Sequence, residues 1–265
     1  MNQEWFDPII FSLGPLQVRW YGAMYVAGFV VGGFILKYLA GKKFWPLPKE
    51  EIDKYVTWLI IGMFIGARLF YIFLYNWDYY SENLSDIFAV WKGGLSFHGA
   101  VVGMCTSTWL FARKHKLHFF QIADCMAVAG TPGLFFGRMG NFINAELYGR
   151  VTDSWAGIVF PGAGPFPRHP SQLYEGFLEG IALFIILFLV HKRERFYGVA
   201  SATFLMGYGV FRFIVEFFRE PDSQLGYYLT YFTMGQLLCF MMILGSFVML
   251  MYAKKLSLKN PLIPR

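Results

Sequence analysis

The stretch FFQIADCMAVAGTPGLFFGRMGNFINAELYGR, Phe119–Arg150, opens as a long apolar run and closes on two arginines, two asparagines and a glutamate. A helix crossing a bilayer needs about 20 mostly apolar residues, and Phe119–Gly140 supplies them. The closing run, GRMGNFINAELYGR from Gly137 to Arg150, therefore falls where a membrane span reaches the hydrocarbon edge. Charge is expensive there. An arginine at the bilayer centre costs at least about 2.5 to 3.5 kcal/mol on insertion scales, so ionisable residues at depth mark candidate functional positions.

Outward from this stretch, six more segments have the length and composition of spans. They are Trp20–Leu39, Tyr55–Tyr75, Leu95–Phe111, Gln172–Val190, Gly198–Phe218 and Thr230–Met251. Hydrophobic residues make up 56% of the chain and charged residues only 15%, against about a quarter charged in soluble domains. The expected fold is an all-α integral membrane protein, a seven-transmembrane-helix bundle forming one polytopic domain over residues 1–265. The first nineteen residues lack the basic start, short apolar core and small-residue cleavage site of a signal peptide, so the first apolar run is expected to be a permanent span.

The loops set the orientation. Fourteen lysines and arginines fall in one set: Lys42, Lys43, Lys49, Lys54, Arg113, Lys114, Lys116, Lys192, Arg193, Arg195, Lys254, Lys255, Lys259 and Arg265. Five fall in the other: Arg19, Lys92, Arg150, Arg168 and Arg219. The positive-inside rule places the amino terminus outside and the carboxyl terminus in the cytoplasm, which requires an odd number of spans. The net charge of +6 is thereby accounted for by anchoring at the cytoplasmic face, and no nucleic-acid partner is expected. Trp20, Tyr21, Trp77, Tyr79, Tyr80 and Trp91 suit an aromatic belt at the headgroups. Five GxxxG pairs, Gly28–Gly32, Gly62–Gly66, Gly99–Gly103, Gly133–Gly137 and Gly176–Gly180, favour close helix approach. Cys105, Cys125 and Cys239 lie inside apolar segments without metal or redox spacing and read as buried thiols. The one sizeable segment outside the membrane, about Asn141–Ser171, contains FPGAGPFPRHP and reads as a small irregular cap.

The polar residues within the spans gather at one depth. At about 1.5 Å of rise per residue, Arg68 stands about 20 Å and Arg212 about 21 Å above the inner edge of their spans. Glu216 is one turn further out, and Arg138 is near the outer end of its span. His98, Glu175 and Tyr21 occupy the first turns of spans that run inward. The inner half holds little comparable beyond Asp124 and Lys37, which can snorkel. Snorkelling and helix-bridging ion pairs account for such residues singly, and Arg212 with Glu216 has the spacing of a pair on one face. Four or more helices contributing at one depth point instead to a site. Arginine matches phosphate in a bidentate fork, so a basic layer in the outer leaflet suits an anionic phospholipid headgroup. A channel or transporter would spread polar residues along a full path or break helices near the midplane. For an intramembrane protease, Ser96 and His98 stand alone on one helix without recognisable partner motifs.

Five motifs resemble one family. RWYGAMY (Arg19–Tyr25), GGLSFHGA (Gly93–Ala100), GRMGNFINAELYGR (Gly137–Arg150), PRHPSQLYEG (Pro167–Gly176) and GYGVFRFIVEFFREPD (Gly207–Asp222) are similar, in order, to those of the bacterial prolipoprotein diacylglyceryl transferases. The resemblance implies a seven-span enzyme of the bacterial cytoplasmic (inner) membrane, acting in lipoprotein biosynthesis, with its amino terminus and cap on the periplasmic or exterior side. It also implies the activity: transfer of the diacylglyceryl group of phosphatidylglycerol to the lipobox cysteine of a prolipoprotein, forming a thioether and releasing glycerol phosphate. In that family the motif arginine and first asparagine bind the phospholipid; they fall here at Arg138 and Asn141, followed by Glu146 and Gly149. The other family positions, which the resemblance implies are catalytic together with Arg138, fall at Arg212, Glu216, Tyr21 and His98. Ala145 and Ala100 stand where glycine is frequent, Tyr148 where tryptophan is, and the external segment is short for the family.

The implied chemistry assigns roles. The attacking thiol belongs to the substrate, and an unperturbed thiol has a pKa of about 8.5, leaving only a few per cent thiolate near neutral pH. A base in hydrogen-bonding reach contributes about 10²–10⁴ in rate. His98 is the first candidate, with Glu146 and Glu216 as alternatives. The leaving phosphate gains charge, so fixed cations are the expected main source of catalysis, and Arg138 and Arg212 suit that role. Asn141, Asn144 and Gly149 are expected to shape a polar turn around the headgroup, with Arg68 and Glu175 as further binding candidates. The prolines of PRHPSQLYEG set the entry of the fifth span, with His169 between them. No HExxH, paired-Cys or carboxylate cluster suggests a metal, and no cofactor is expected.

Overall fold

The computed structural model describes residues 5–14, 16–89, 93–193, 196–220, 227–228 and 232–259. Lys92, Arg195 and Arg265 among the loop cations, Trp91, Thr230 at the start of the last expected span and the motif end at Asp222 lie outside the described residues.

The chain is predominantly helical. A hairpin of β1 (Ile9–Leu13) and antiparallel β2 (Leu16–Arg19) leads directly into α1 (Trp20–Gly41). Next come α2 (Glu50–Phe70), prolonged by one π-helical stretch to Tyr75, and the short α3 (Trp77–Glu82). α4 (Phe97–Lys114) and α5 (Phe119–Ile143) follow. α6 (Ser171–Glu175), a π-helical stretch Gly176–Ala182 and α7 (Leu183–His191) form one continuous helical rod. α8 (Val199–Val215) and α9 (Met234–Lys259) complete the order, with the two-residue strands β3 (Tyr227–Tyr228) and β4 (Phe232–Thr233) paired between them.

Five described helices are long and apolar enough to cross a membrane: Trp20–Gly41, Glu50–Tyr75, Phe119–Ile143, Ser171–His191 and Met234–Ser257. Val199–Val215 is a shorter apolar helix. Together they make this an all-α membrane protein. The observed helices extend the apolar runs by a few polar residues at their ends. α2 begins five residues before Tyr55 because Glu50, Glu51 and Asp53 occupy its first turn, where the helix dipole favours negative charge. The hydroxyl of Ser96 caps α4 by accepting from the Gly99 N–H at 3.2 Å.

Two compact units are present, residues 36–123 and residues 1–35 with 124–265. In the first, the paired glycines of α2 and α4 face each other. A Cβ on Gly66 would lie 2.8 Å from the Gly103 Cα, and one on Gly103 would lie 3.1 Å from the Gly66 Cα and against the Gly62 carbonyl. The crossing closes on a fully buried hydrogen bond between the Tyr55 and Thr108 hydroxyls at 2.9 Å, beside the rings of Trp45 and Phe111.

In the second unit α1 lies on α5, where a Cβ on Gly28 would meet the Gly133 Cα at 3.2 Å. The π-helical stretch lies on α5 through Gly180 against Phe135. Asp124, wholly buried, anchors the start of α8 by accepting from the Gly198 and Ser201 N–H groups at 2.6 and 2.9 Å and from the Ser201 hydroxyl at 2.6 Å. Gly198 (φ 98°) could not carry a side chain there without strain. Residues 144–170 form an irregular segment tied by isolated bridges of Val151 and Ile158 to Arg168 and of Gly149 to Arg219.

Candidate functional site

Arg138 comes from the last turns of α5 and Arg212 from the last turn of α8, and both end on one carboxylate. Nη2 of Arg138 lies 2.7 Å, and Nη1 of Arg212 2.8 Å, from the same Oε2 of Glu175. The other oxygen, Oε1, accepts from Nη1 of Arg219 at 3.3 Å. Glu175 has 0% side-chain exposure, whereas Arg138 and Arg212 keep 19% and 15%. The Arg138 and Arg212 side chains thus keep part of their surface exposed, and the carboxylate keeps none. Glu216 pairs with Arg212 at 3.0 Å one turn along α8 and accepts from the Thr233 hydroxyl at 2.9 Å. Gly235 leaves room for that carboxylate, since a Cβ there would lie 2.5 Å from Oε1.

Glu175 reaches the cluster because of how its helix begins. Pro170 precedes α6 and blocks an earlier start, and the Ser171 and Gln172 side chains fasten the first turn to the segment after α5. Ser171 donates to the Leu147 carbonyl at 3.0 Å, and Gln172 donates through Nε2 to the Glu146 carbonyl at 2.6 Å. Directly after Glu175 the helix widens into its π-helical stretch, a form that recurs at functional sites. Glu179 lies within it, also fully buried, with Oε2 3.7 Å from Nη2 of Arg138.

The asparagines of the Gly137–Arg150 run fold back on their own glutamate. Asn141 and Asn144 both donate through Nδ2 to Oε1 of Glu146, at 2.8 and 3.4 Å. The turn takes Ala145 and Leu147 to φ 54° and 58°, in the left-handed region. That conformation costs a non-glycine residue about 1–2 kcal/mol. Ala145→Gly is therefore expected to stabilise the protein by up to about 1 kcal/mol, part of the relief being offset by the greater freedom of an unfolded glycine. A higher melting temperature in detergent is the check, and an unchanged or lower one would show that the turn carries no strain.

Gly149 is a backbone junction. Its N–H donates to the His169 carbonyl at 2.8 Å, its own carbonyl accepts from Arg168 at 3.2 Å, and a Cβ would meet His169 Cβ at 2.8 Å and the Phe218 carbonyl. His169 packs on Phe218 and hydrogen-bonds the Tyr174 hydroxyl through Nδ1 at 3.2 Å, which suits the rigid entry expected of its segment. Tyr21 lies against Gly140, where a Cβ would meet its Cδ2 at 2.8 Å, and its hydroxyl is 3.3 Å from that of Tyr25.

Arg68 and His98 belong to the 36–123 unit. Arg68, a binding candidate by sequence, directs its fork at the backbone. Its N–H groups go to backbone carbonyls: Nε to Ile87 at 2.9 Å, Nη1 to Gly93 and Gly94 at 2.7 and 3.0 Å, and Nη2 to Asp86 and Ala89 at 2.5 and 3.5 Å. The guanidinium also stacks 5.0 Å from the centre of the Tyr80 ring. Arg68 secures the chain that leads into α4. His98 is exposed in the first turn of α4, its ring edge-on to Phe97.

Sequence reading missed Glu179 and Arg219. The signal for Glu179 was its spacing of four from Glu175 in YEGFLEG, which puts both on one helical face. By sequence Arg219 is a loop cation, and its isolated bridge to Gly149 sets it beside Glu175. Among the described residues no cluster of His, Cys, Asp and Glu is placed to hold a metal ion.

Residues 8–252 match the family profile described as prolipoprotein diacylglyceryl transferase. A phosphatidylglycerol–prolipoprotein diacylglyceryl transferase of Oleidesulfovibrio alaskensis is 50% identical over 251 residues, covering 94% of each chain. One of Geobacter sulfurreducens is 51% identical over 243 residues, 92% of this chain and 94% of the relative. One of Pseudomonas aeruginosa PAO1 is 45% identical over 258 residues, 96% of each. The matches run through every helix that contributes to the arginine cluster. The protein belongs to the prolipoprotein diacylglyceryl transferase family.

Proposed function

We propose that the protein transfers the diacylglyceryl group of phosphatidylglycerol to the thiol of the lipobox cysteine of prolipoproteins, the first step of bacterial lipoprotein maturation. The observation that carries this reading is the meeting of Arg138 and Arg212, from separate helices, over one buried carboxylate. In the reaction the cysteine thiolate attacks the glycerol carbon that bears the phosphodiester. A carbon–sulfur bond forms, the carbon–oxygen bond to phosphate breaks, and glycerol phosphate leaves with the bonding electrons. The charge on the leaving phosphate grows from about −1 towards −2, and preorganised cations aimed at it stabilise the transition state more than the ground state. Arg138 and Arg212 are the groups we assign to that charge.

Asn141, Asn144 and Glu146 form the polar turn beside Arg138 and are assigned to the glycerol headgroup, with Gly149 fixing the turn's backbone and Tyr21 bracing α1 against it. Glu216 holds Arg212. His98 is assigned the proton of the substrate thiol. The protein is read as one polytopic domain of seven spans, with its amino terminus and the cap formed by residues 141–171 outside and its carboxyl terminus in the cytoplasm. The bilayer, phosphatidylglycerol and the prolipoprotein signal peptide are its partners, and nucleic acid has no place in the reading.

Mass spectrometry of a synthetic lipobox peptide incubated with the purified protein and phosphatidylglycerol is the test. The peptide should gain one diacylglyceryl group at cysteine with its backbone intact. A cleaved peptide, or an unmodified one alongside solute flux in vesicles, would replace the reading with a protease or a transporter. His98→Gln should lower kcat/KM for the peptide by about 10²-fold at neutral pH. That loss should shrink as the pH rises towards the thiol's own ionisation, because solvent then supplies the thiolate that the imidazole no longer generates. Unaltered turnover at neutral pH would remove His98 as the base and turn attention to Glu146 and Glu216.

A further inference from the structure

Glu175 has no exposed surface, and Arg138, Arg212 and Arg219 pair with its carboxylate. Three guanidinium groups repel one another, and in the low dielectric of a buried site that repulsion is strong. A resident anion resolves it. The two oxygens of Glu175 take one contact from each arginine, at 2.7, 2.8 and 3.3 Å. The Arg138 and Arg212 side chains keep part of their surface exposed, whereas Glu175 keeps none. The helix start at Pro170, the fastening of Ser171 and Gln172 to the Glu146–Leu147 backbone and the buried setting all fix the carboxylate in place.

We propose that Glu175 is a positioning residue, a built-in counter-anion that holds Arg138, Arg212 and Arg219 in convergent geometry and weakens their grip on the ground-state phosphate. The inference rests on the reading of this cluster as the phosphate site. A carboxylate behind the arginines disfavours any anion in front of them. At an effective dielectric of about 20, a like charge about 10 Å away weakens binding by roughly tenfold. The same carboxylate keeps the forks aimed where charge develops, and a misplacement of about 1 Å costs around 10² in rate. Substrate binding and turnover are therefore expected to move in opposite directions when the charge is removed.

The test is steady-state kinetics of Glu175→Gln and Glu175→Asp in the full-length protein, varying phosphatidylglycerol in mixed micelles with a fixed lipobox peptide. Glu175→Gln should show kcat lowered by about 10² and KM for the lipid lowered by about tenfold, the pattern left when repulsion of the bound anion and alignment of the arginines are lost together, the loss of alignment dominating kcat. Glycerol phosphate should inhibit this variant more strongly than the wild type. Glu175→Asp keeps the charge but withdraws it by one methylene, so kcat should fall without a lower KM. A lower kcat with KM unchanged or raised in the glutamine variant, or wild-type kinetics in it, would overturn the proposal. If the glutamine variant fails to insert, the aspartate variant decides: reduced kcat at unchanged KM supports the role, and undiminished kcat refutes it. A wild-type protein that leaves the peptide unmodified would instead remove the phosphate reading itself, and the proposal with it.

Discussion

Arg138→Ala and Arg212→Ala are each expected to reduce diacylglyceryl transfer by about 10³-fold or more while the protein still inserts. Removing one preorganised donor from a developing oxyanion costs about 10²–10³ in kcat, and these donors carry full charge. For Glu175 retained folding follows from redundancy, while Glu216 keeps the Thr233 hydroxyl when Arg212 is removed and Glu179 lies 3.7 Å from Arg138, beyond hydrogen-bond distance. Deleting one partner of a buried ion pair costs about 3–5 kcal/mol when it strands the other charge. Here Glu175 keeps two of its three guanidinium partners after either substitution. Lysine at either position preserves charge without the planar fork, so Arg138→Lys and Arg212→Lys should fall between alanine and wild type. Thioether formation on a lipobox peptide, beside the elution profile in detergent, measures both halves of the expectation. Near-normal transfer by a well-folded alanine variant would end the charge-stabilising assignment.

The second large effect concerns stability. Gly103→Val should destabilise the protein by about 3 kcal/mol or more, at the upper end of overpacking costs. The added carbons at Gly103 would run into backbone, the Gly62 carbonyl and the Gly66 Cα, and not into the flexible end of a side chain. Helices α2 and α4 would have to separate, and with them the Tyr55–Thr108 hydrogen bond in the same crossing. Gly245→Ala in α9 is the control, because a Cβ there meets nothing within 4 Å and alanine favours a helix by up to about 1 kcal/mol. Thermal or denaturant unfolding in detergent should separate the two variants clearly. Equal midpoints would mean that the α2–α4 approach is looser than the glycine contacts imply.

The glycine pairs illustrate how unevenly a linear pattern predicts packing. All five share one spacing, yet they do not share one role. Gly62 and Gly66 mesh with Gly99 and Gly103, and Gly28 sits on Gly133, whereas a Cβ on Gly137 would meet nothing within 4 Å. Spacing tells which residues share a face. It does not tell what the face meets. Arg68 makes the same point for charge. Helical rise gives it nearly the same expected depth as Arg212, and depth alone groups them, but the carbonyls of Asp86, Ile87, Gly93 and Gly94 take up its guanidinium. Arg212 meets carboxylates instead, and a carboxylate leaves the pair a charged partner that an incoming phosphate can resemble.

Apolar run length, the shortage of charge and the motif order were local properties, so the chain alone determined the helical membrane class, the position of its long helices and the family. Those features depend on the hydrophobic requirement of the bilayer and on residue identity, neither of which needs a partner in space. Which carboxylate the arginines share was decided only by tertiary structure. Glu175, Arg138, Arg212 and Arg219 are brought together by the start of α6 at Pro170, the left-handed turn at Ala145 and Leu147, and the bridge between Gly149 and Arg219. Ion pairing acts over a few ångströms between residues distant in the chain, and no periodicity along one helix encodes it.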